Sequence, residues 1–285
     1  MVRRKKVGVS LKSAQNVGVQ ILLKNRANLY NFLEDCYLKY NRVSYIATDP
    51  IFFPAYYDGN KEFISFISAI FSYGKVSLIQ RFLEDFFSKY GTNPIIRGEI
   101  SANIYYRFQK SGDIYLLWRF LKKVYDEYGS INNYFLYKSD NIDNGLREFI
   151  LDARVFGSLH NAGNGYFQLF PNPDSSGLKR FRMFLRWMIR KDDVDFGIWR
   201  GYSPKDLLYP IDTHILRFAK AFGIIKNEVN SNKNSKVISE FFSSINPQDP
   251  VKYDFTITRL GMLSNCSFVK NNNCLGCSHL SKCPF

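Results

Sequence analysis

Four of the five cysteines stand in the last twenty residues, at Cys266, Cys274, Cys277 and Cys283. The pattern C-x7-C-x2-C-x5-C lets one loop present four thiolates to a single centre, and thiolates suit both an iron–sulfur cluster and Zn²⁺. In a reducing compartment such a grouping points to metal rather than disulfides. Spacing alone leaves a [4Fe–4S] cluster and zinc level, with four unrelated buried thiols as the plain alternative. Cys36 falls inside a helical pattern and reads as a core residue. A second chemical element is Asp212, which opens an amphipathic run to about Phe222. A carboxylate there is a helix N-cap and also a fixed negative charge. Lys179 opens another run, after Pro173-Asp174-Ser175-Ser176-Gly177-Leu178. In isolation it is a solvated lysine, while the N–H groups of Ser176–Lys179 form a helix start able to grip a phosphate.

These residues need a scaffold, and helical periodicity dominates the chain. The patterns predict helices over Val19–Tyr40, Lys61–Tyr73, Lys75–Tyr90, Ile100–Lys110, Asp113–Tyr128, Asn141–His160, Gly177–Arg190, Val237–Ser244 and Asp249–Leu263. Asn161–Ser176, broken by Gly163, Gly165 and Pro171-Asn172-Pro173, reads as a loop, as does the Asn- and Ser-rich stretch Asn227–Lys236. No segment alternates as a β-sandwich strand would. The expectation is an all-α, two-lobed fold. Residues 1–65 would pack with a C-terminal lobe, 191–285, and a central helical lobe would span 66–190.

The 39 Lys and Arg against 25 Asp and Glu give a net charge of +14, which favours a polyanionic partner, nucleic acid first. Arg180, Arg182, Arg186, Arg190 and Lys191 offer a basic face on the helix after Gly177, with a merely solvated face as the alternative. No apolar run reaches the roughly 20 residues needed to span a bilayer, so no membrane partner is expected. The basic start, MVRRKKVGVSLKSAQN, lacks the apolar core of a secretory signal and reads as a frayed arm. A cytoplasmic, nucleoid-associated monomer is the expectation. Among 26 Phe and 19 Tyr most rings must be core. His160, Phe156, Phe167, Phe170 and Trp199 flank loops and are the candidates for a pocket that stacks and hydrogen-bonds a base.

The segment Tyr209-Pro-Ile-Asp-Thr-His-Ile-Leu-Arg217 resembles the V-D-T-H-x-x-R segment of endonuclease III-like DNA glycosylases, of the helix-hairpin-helix superfamily. The match falls on Asp212, Thr213, His214 and Arg217 and implies that Asp212 is catalytic. The cysteine loop is similar to the C-x6-C-x2-C-x5-C loop that holds a [4Fe–4S] cluster in those enzymes, with one extra residue in the first gap. By that likeness it would order a basic loop, with Lys270, Lys282 and His279, against the DNA backbone. The typical hairpin ends in a lysine that opens the next helix. Here the matching residue is Lys179, after a hairpin that has lost its G-x-G signature, and the resemblance makes it the nucleophile. Its separation from Asp212 is similar to that of archaeal 8-oxoguanine glycosylases. Most of the chain also resembles a bacterial family catalogued as domain of unknown function 2400.

The implied activity is a DNA N-glycosylase with DNA-(apurinic or apyrimidinic site) lyase activity in base-excision repair. It would act on a damaged purine, 8-oxoguanine first, flipped out of double-stranded DNA. A nucleophilic lysine must present a neutral amine, which burial or nearby positive charge from Arg180 and Arg182 would favour. Ser176, Gly177, Arg180, Arg182, His214, Arg217 and Lys270 are the expected DNA contacts. Two alternatives stand beside this: a monofunctional glycosylase in which Asp212 activates water, and a nucleic-acid-binding protein that keeps the fold without the chemistry.

Overall fold

A computed structural model describes residues 28–93, 103–264, 266–269, 274, 283 and 284. The basic arm, the first part of the helix expected over Val19–Tyr40, and Lys270, Cys277, His279 and Lys282 lie outside the described residues.

The described residues are all-α: helices joined by loops, with only isolated β-bridges among them. In chain order the helices are α1 (residues 28–40), α2 (Phe52–Tyr56), α3 (Lys61–Ile70), α4 (Val76–Tyr90), α5 (Ser111–Tyr128), α6 (Ile131–Lys138), α7 (Ile142–Leu159), α8 (Asn164–Leu169), α9 (Lys179–Ile189), α10 (Thr213–Ala221), α11 (Asn232–Ser243) and α12 (Asp254–Leu263). None of the described helices is long and apolar enough to cross a membrane.

Local chemistry sets the boundaries. Asn60, Ser130, Asn141 and Ser231 each accept a bond from the N–H three residues on and so start α3, α6, α7 and α11. Gly91 and Gly129, with φ of +81° and +78°, stop α4 and α5. The centre of the fold is α3, buried along nearly its whole length, with α9 packed against it. Phe66 of α3 meets Phe149 of α7 and Phe181 and Phe184 of α9 edge-on. The helices α5, α6, α7 and α8 pack around one another on one side, and α10 pairs with α12 on the other.

Four expectations are corrected. A helix over Ile100–Lys110 is replaced, in its described part, by a tight hairpin in which Tyr106 and Gln109 exchange backbone hydrogen bonds at 2.9 Å. The turn is held because the Gln109 side chain is buried and donates to the Gly165 carbonyl at 2.9 Å. The loop Asn161–Ser176 contains α8. The loop Asn227–Lys236 ends early, because the Ser231 cap begins α11 within a polar stretch. The basic face of α9 is the fourth.

Arg182, Arg186 and Arg190 stand four residues apart on α9 and are 3, 3 and 4% exposed. Arg186 pairs with Asp254 and, at 3.2 Å, with Asp195. Arg190 pairs with Asp192, with Asp195 at 2.9 Å and with Asp249 at 2.7 Å. Burying a guanidinium is tolerable only with such partners. This row is therefore an internal lattice of ion pairs that fastens Asp192 and Asp195, in the stretch after α9, and the start of α12 to that helix.

Candidate active site

Asp212 has extended backbone, with φ −113° and ψ −173°, immediately before α10. Its Oδ1 accepts the N–H groups of His214 and Ile215, both at 2.8 Å, and its Oδ2 accepts the Thr258 hydroxyl of α12 at 3.2 Å. The carboxylate is thus a cap and a rigidly held charge at the positive end of a helix. His214 follows, its ring against Gly261 of α12, where a Cβ would come within 2.8 Å of the imidazole Cγ. Its buried Nδ1 has no hydrogen-bond partner. Burial lowers the His214 pKa; Arg217, Lys179 and Arg259 push the same way and Asp212 opposes. Near neutral pH the ring is therefore uncharged.

Lys179 is the first residue of α9. The preceding Leu178 is left-handed, with φ +50° and ψ 33°, a conformation that costs a non-glycine residue about 1–2 kcal/mol. The surroundings enforce it. Ser176 Oγ accepts the Leu178 N–H at 3.2 Å, Ser176 forms a β-bridge with Ser231, and Asn232 N–H donates to the Ser175 carbonyl at 3.1 Å. A Cβ on Gly177 would strike the Asn230 side chain and come within 2.8 Å of Ile211, so glycine lets these side chains close over the backbone without shifting. The same joint carries Ile211, the neighbour of Asp212. The starts of α9 and α10 are therefore fixed to each other.

Both starts line one cleft of about 770 Å³, a size suited to a nucleoside-sized ligand. Lys179, Asp212, His214, Thr258 and Asp254 face it, with Tyr73, Phe181 and Phe255 supplying rings. Lys179 and Asp212 also act electrostatically on the same neighbours, His214 and Asp254.

Asp254 is the functional candidate that sequence reasoning missed. It sits at the start of α12, 6% exposed, and pairs with Arg186. Burial pushes its carboxyl up, to about 7, with Asp212 and Asp195 adding and Arg186 and Lys179 opposing. Neighbouring anions add to the effect of burial, because Arg186 and Arg190 are shared among Asp192, Asp195, Asp249 and Asp254. Burial likewise raises Asp195. Asp192 is buried too, but Arg190 and the backbone N–H groups of Asp195 and Val194 hold it at about 2. The available signal was the arginine row itself. Three guanidinium groups on one apolar helix face require buried acids elsewhere in the chain.

The other expected residues divide. Ser176, Arg180 and His214 line the cleft with Lys179 and Asp212. Gly177 is buried beneath it and Arg217 is exposed. Arg180 lies over the Tyr73 ring at 5.1 Å and donates to the carbonyls of Ile70 and Gln168. Arg182 is corrected as a phosphate contact, since its guanidinium is committed to Asp143 at 3.1 Å, Asn232 at 2.9 Å and the Gly177 carbonyl at 3.1 Å.

The expected base pocket is corrected too, because none of its five residues lines the cleft. Trp199 is buried and donates its indole N–H to Glu62 at 2.7 Å. Phe170 is core, packed on Phe120 and Tyr166. Phe156 stacks on His160 at 4.1 Å, and His160 is engaged by Arg119 at 3.2 Å. Phe167 lies beneath Arg154. Rings that flank a loop in sequence were drawn inward by their own hydrophobicity.

Cys266, Cys274 and Cys283 are each half-buried, and Cys266 and Cys283 pack against the core. Among the described residues no group of three or more His, Cys, Asp and Glu side chains is placed to hold a metal ion. The described thiols have the donor chemistry of either proposed centre.

Among known proteins, no curated protein and no solved structure matches this chain. No helix-hairpin-helix glycosylase family matches either, which corrects the superfamily membership suggested by the Asp212 segment. An Asp-capped amphipathic helix needs no shared ancestry, because capping favours it in any fold. One family model does match, over residues 49–263, and on that match the chain belongs to the family described as "Protein of unknown function (DUF2400)".

Proposed function

We propose that this chain is a DNA N-glycosylase with lyase activity, which removes a damaged purine, 8-oxoguanine first, from double-stranded DNA. The observation that carries the proposal is the meeting of Lys179 and Asp212 in one cleft large enough for an extruded nucleotide. A base within a duplex is out of reach of side chains, so it must leave the stack to enter the cleft. The neutral amine of Lys179 bonds to the sugar C1′ as the C1′–N bond breaks, and the bonding electrons leave with the base, which takes up a proton. Asp254, raised to about 7 by burial, is suited to hold that proton near neutral pH. Asp212, fixed in place by two N–H groups and the Thr258 hydroxyl, stabilises the positive charge developing on the sugar. Opening of the sugar ring with loss of the amine proton gives a Schiff base. Removal of a C2′ proton then expels the 3′ phosphate and cleaves the strand.

The DNA contacts in this reading are Ser176, Arg180, His214 and Arg217 around the cleft. The cleft draws on residues 72–79 and 171–186, within the central lobe expected over 66–190, and on residues 48–50 and 210–262, within the segments expected to form the other lobe. In the same reading Cys266, Cys274, Cys277 and Cys283 hold a [4Fe–4S] cluster, or zinc as the alternative, which orders the C-terminal loop.

Borohydride trapping on duplexes carrying 8-oxoguanine, thymine glycol or an abasic site tests the proposal. The expected result is a covalent adduct that disappears in Lys179→Gln. Base release without an adduct assigns the chemistry to Asp212 and water. Binding with neither base release from the two lesions nor an adduct on any of the three duplexes leaves a non-catalytic DNA-binding protein and refutes the proposal.

A further inference from the structure

Beside the cleft stands an element that the chemistry above does not use. The hairpin Tyr105–Gln109 is anchored from within. Tyr106 is 4% exposed and packs on Tyr73 at 5.0 Å, Phe71 at 5.7 Å and Phe82 at 4.7 Å. Its hydroxyl donates to the Tyr73 carbonyl, and Tyr73 in turn donates its hydroxyl to the buried Gln109 amide. Tyr73 and Gly74 line the cleft, so the hairpin stands on its rim. Gly74, with φ +106°, lies close under Arg107, where a Cβ would come within 3.2 Å of the arginine Cδ.

What this anchored base presents to solvent is unusual. Tyr105 is 75% exposed and Phe108 58% exposed, with Arg107 between them at a left-handed φ of +53°. The guanidinium lies 5.2 Å from the Phe108 ring and 5.4 Å from that of Tyr73. Large rings held in water by a rigid, strained turn mark a surface that acquires a partner. Arg107, Lys75 and Lys110 are all exposed around it, and none pairs with a described carboxylate. Flat rings among cations fit one partner best, the stacked bases and phosphates of nucleic acid.

We propose that the Tyr105–Gln109 hairpin enters the base stack of docked duplex DNA and fills the space vacated by the nucleotide that moves into the cleft. This rests on the proposed function, because only an extruded nucleotide leaves such a space. Phe108 and Tyr105 stack on the exposed neighbours, Arg107 meets the flanking phosphate, and the anchored Tyr106 and Gln109 keep the turn from yielding.

The test uses the full chain and a duplex in which a tetrahydrofuran abasic analogue, which cannot form a Schiff base, lies opposite 2-aminopurine. Binding of the wild type is expected to change the 2-aminopurine fluorescence. Combined Tyr105→Ala and Phe108→Ala should abolish that change and weaken binding about tenfold or more, in line with loss of base stacking. Phe108→Trp should restore both. Both rings are more than half exposed, so the Ala variants keep the fold, which circular dichroism checks. An unchanged fluorescence response and affinity in the double Ala variant overturn the inference. Failure of the glycosylase reading shows separately, as absence of the Lys179-dependent adduct on a natural abasic site, because the tetrahydrofuran duplex reports insertion without chemistry.

Discussion

Substituting Asp212 in two ways separates its two roles. Asp212→Ala removes the acceptor of two N–H groups at 2.8 Å and the partner of the Thr258 hydroxyl at 3.2 Å. Loss of an N-cap costs about 1 kcal/mol, up to about 2. Asp212→Asn keeps the cap, since its Oδ1 accepts the same two N–H groups and its amide faces Thr258 Oγ1. It gives up only the interaction of charge with helix dipole, about 0.3–1 kcal/mol. The chemistry follows a different rule. Under the proposed function both variants lose the fixed carboxylate that would face the sugar, and removing one such stabilising group slows the chemical step by about 10²–10³. Urea melts should therefore separate the variants, while single-turnover base release should leave them equally slow. Trapping on a preformed abasic site should suffer less in both, since the base is already gone. If Asp212→Asn releases base at the wild-type rate and only Asp212→Ala is impaired, in proportion to its lost stability, the residue is a cap and nothing more.

Two other outcomes follow from the same geometry, and a third from the spacing of the C-terminal cysteines. Arg186→Met leaves Asp254 buried without its cation, and Asp195 with Arg190 alone, and should cost about 3–5 kcal/mol in urea unfolding, whereas an external phosphate-facing arginine would cost under about 0.5. The folded chain raises Asp254 to about 7, so it favours the neutral carboxyl, and that contribution is greatest at low pH and is lost as pH rises from about 4 through 7. The stability of Asp254→Asn relative to wild type should therefore climb across that interval, and a pH-independent difference would contradict the raised pKa. Anaerobically purified protein should contain iron and sulfide at four each per chain, lost in Cys274→Ser, whereas stoichiometric zinc without iron overturns the cluster.

Where apolar spacing and caps agree, the sequence marks an element to within a few residues. The expected Lys75–Tyr90 is α4, and Asn141–His160 is α7, capped by Asn141. The early start of α11 came from a local cap within a polar stretch, whereas the hairpin was decided by tertiary bonds. Nothing local in Tyr106–Gln109 announces a turn at an arginine with positive φ; a glutamine amide reaching Gly165 and a tyrosine reaching Tyr73 hold it there. At the site, Asp212 was legible because a cap is a local feature, while Lys179 stood out only by resemblance. Asp254 was invisible, because its burial and its arginine partner come from α9, far away in the chain. The arginines of α9 misled for the same reason. A charged residue every fourth position looks like a wet face until distant acids claim it.

The joint between Ser175–Ser176 and Ser231–Asn232, with Thr258 reaching back to Asp212, also sets a timetable. A ribosome extrudes Lys179 and Asp212 long before the segments that hold them. The emerging polypeptide thus carries both side chains without a cleft. The cleft forms only once α11 and α12 have left the exit tunnel and docked, so under the proposed function an unfinished product of translation would not cut DNA.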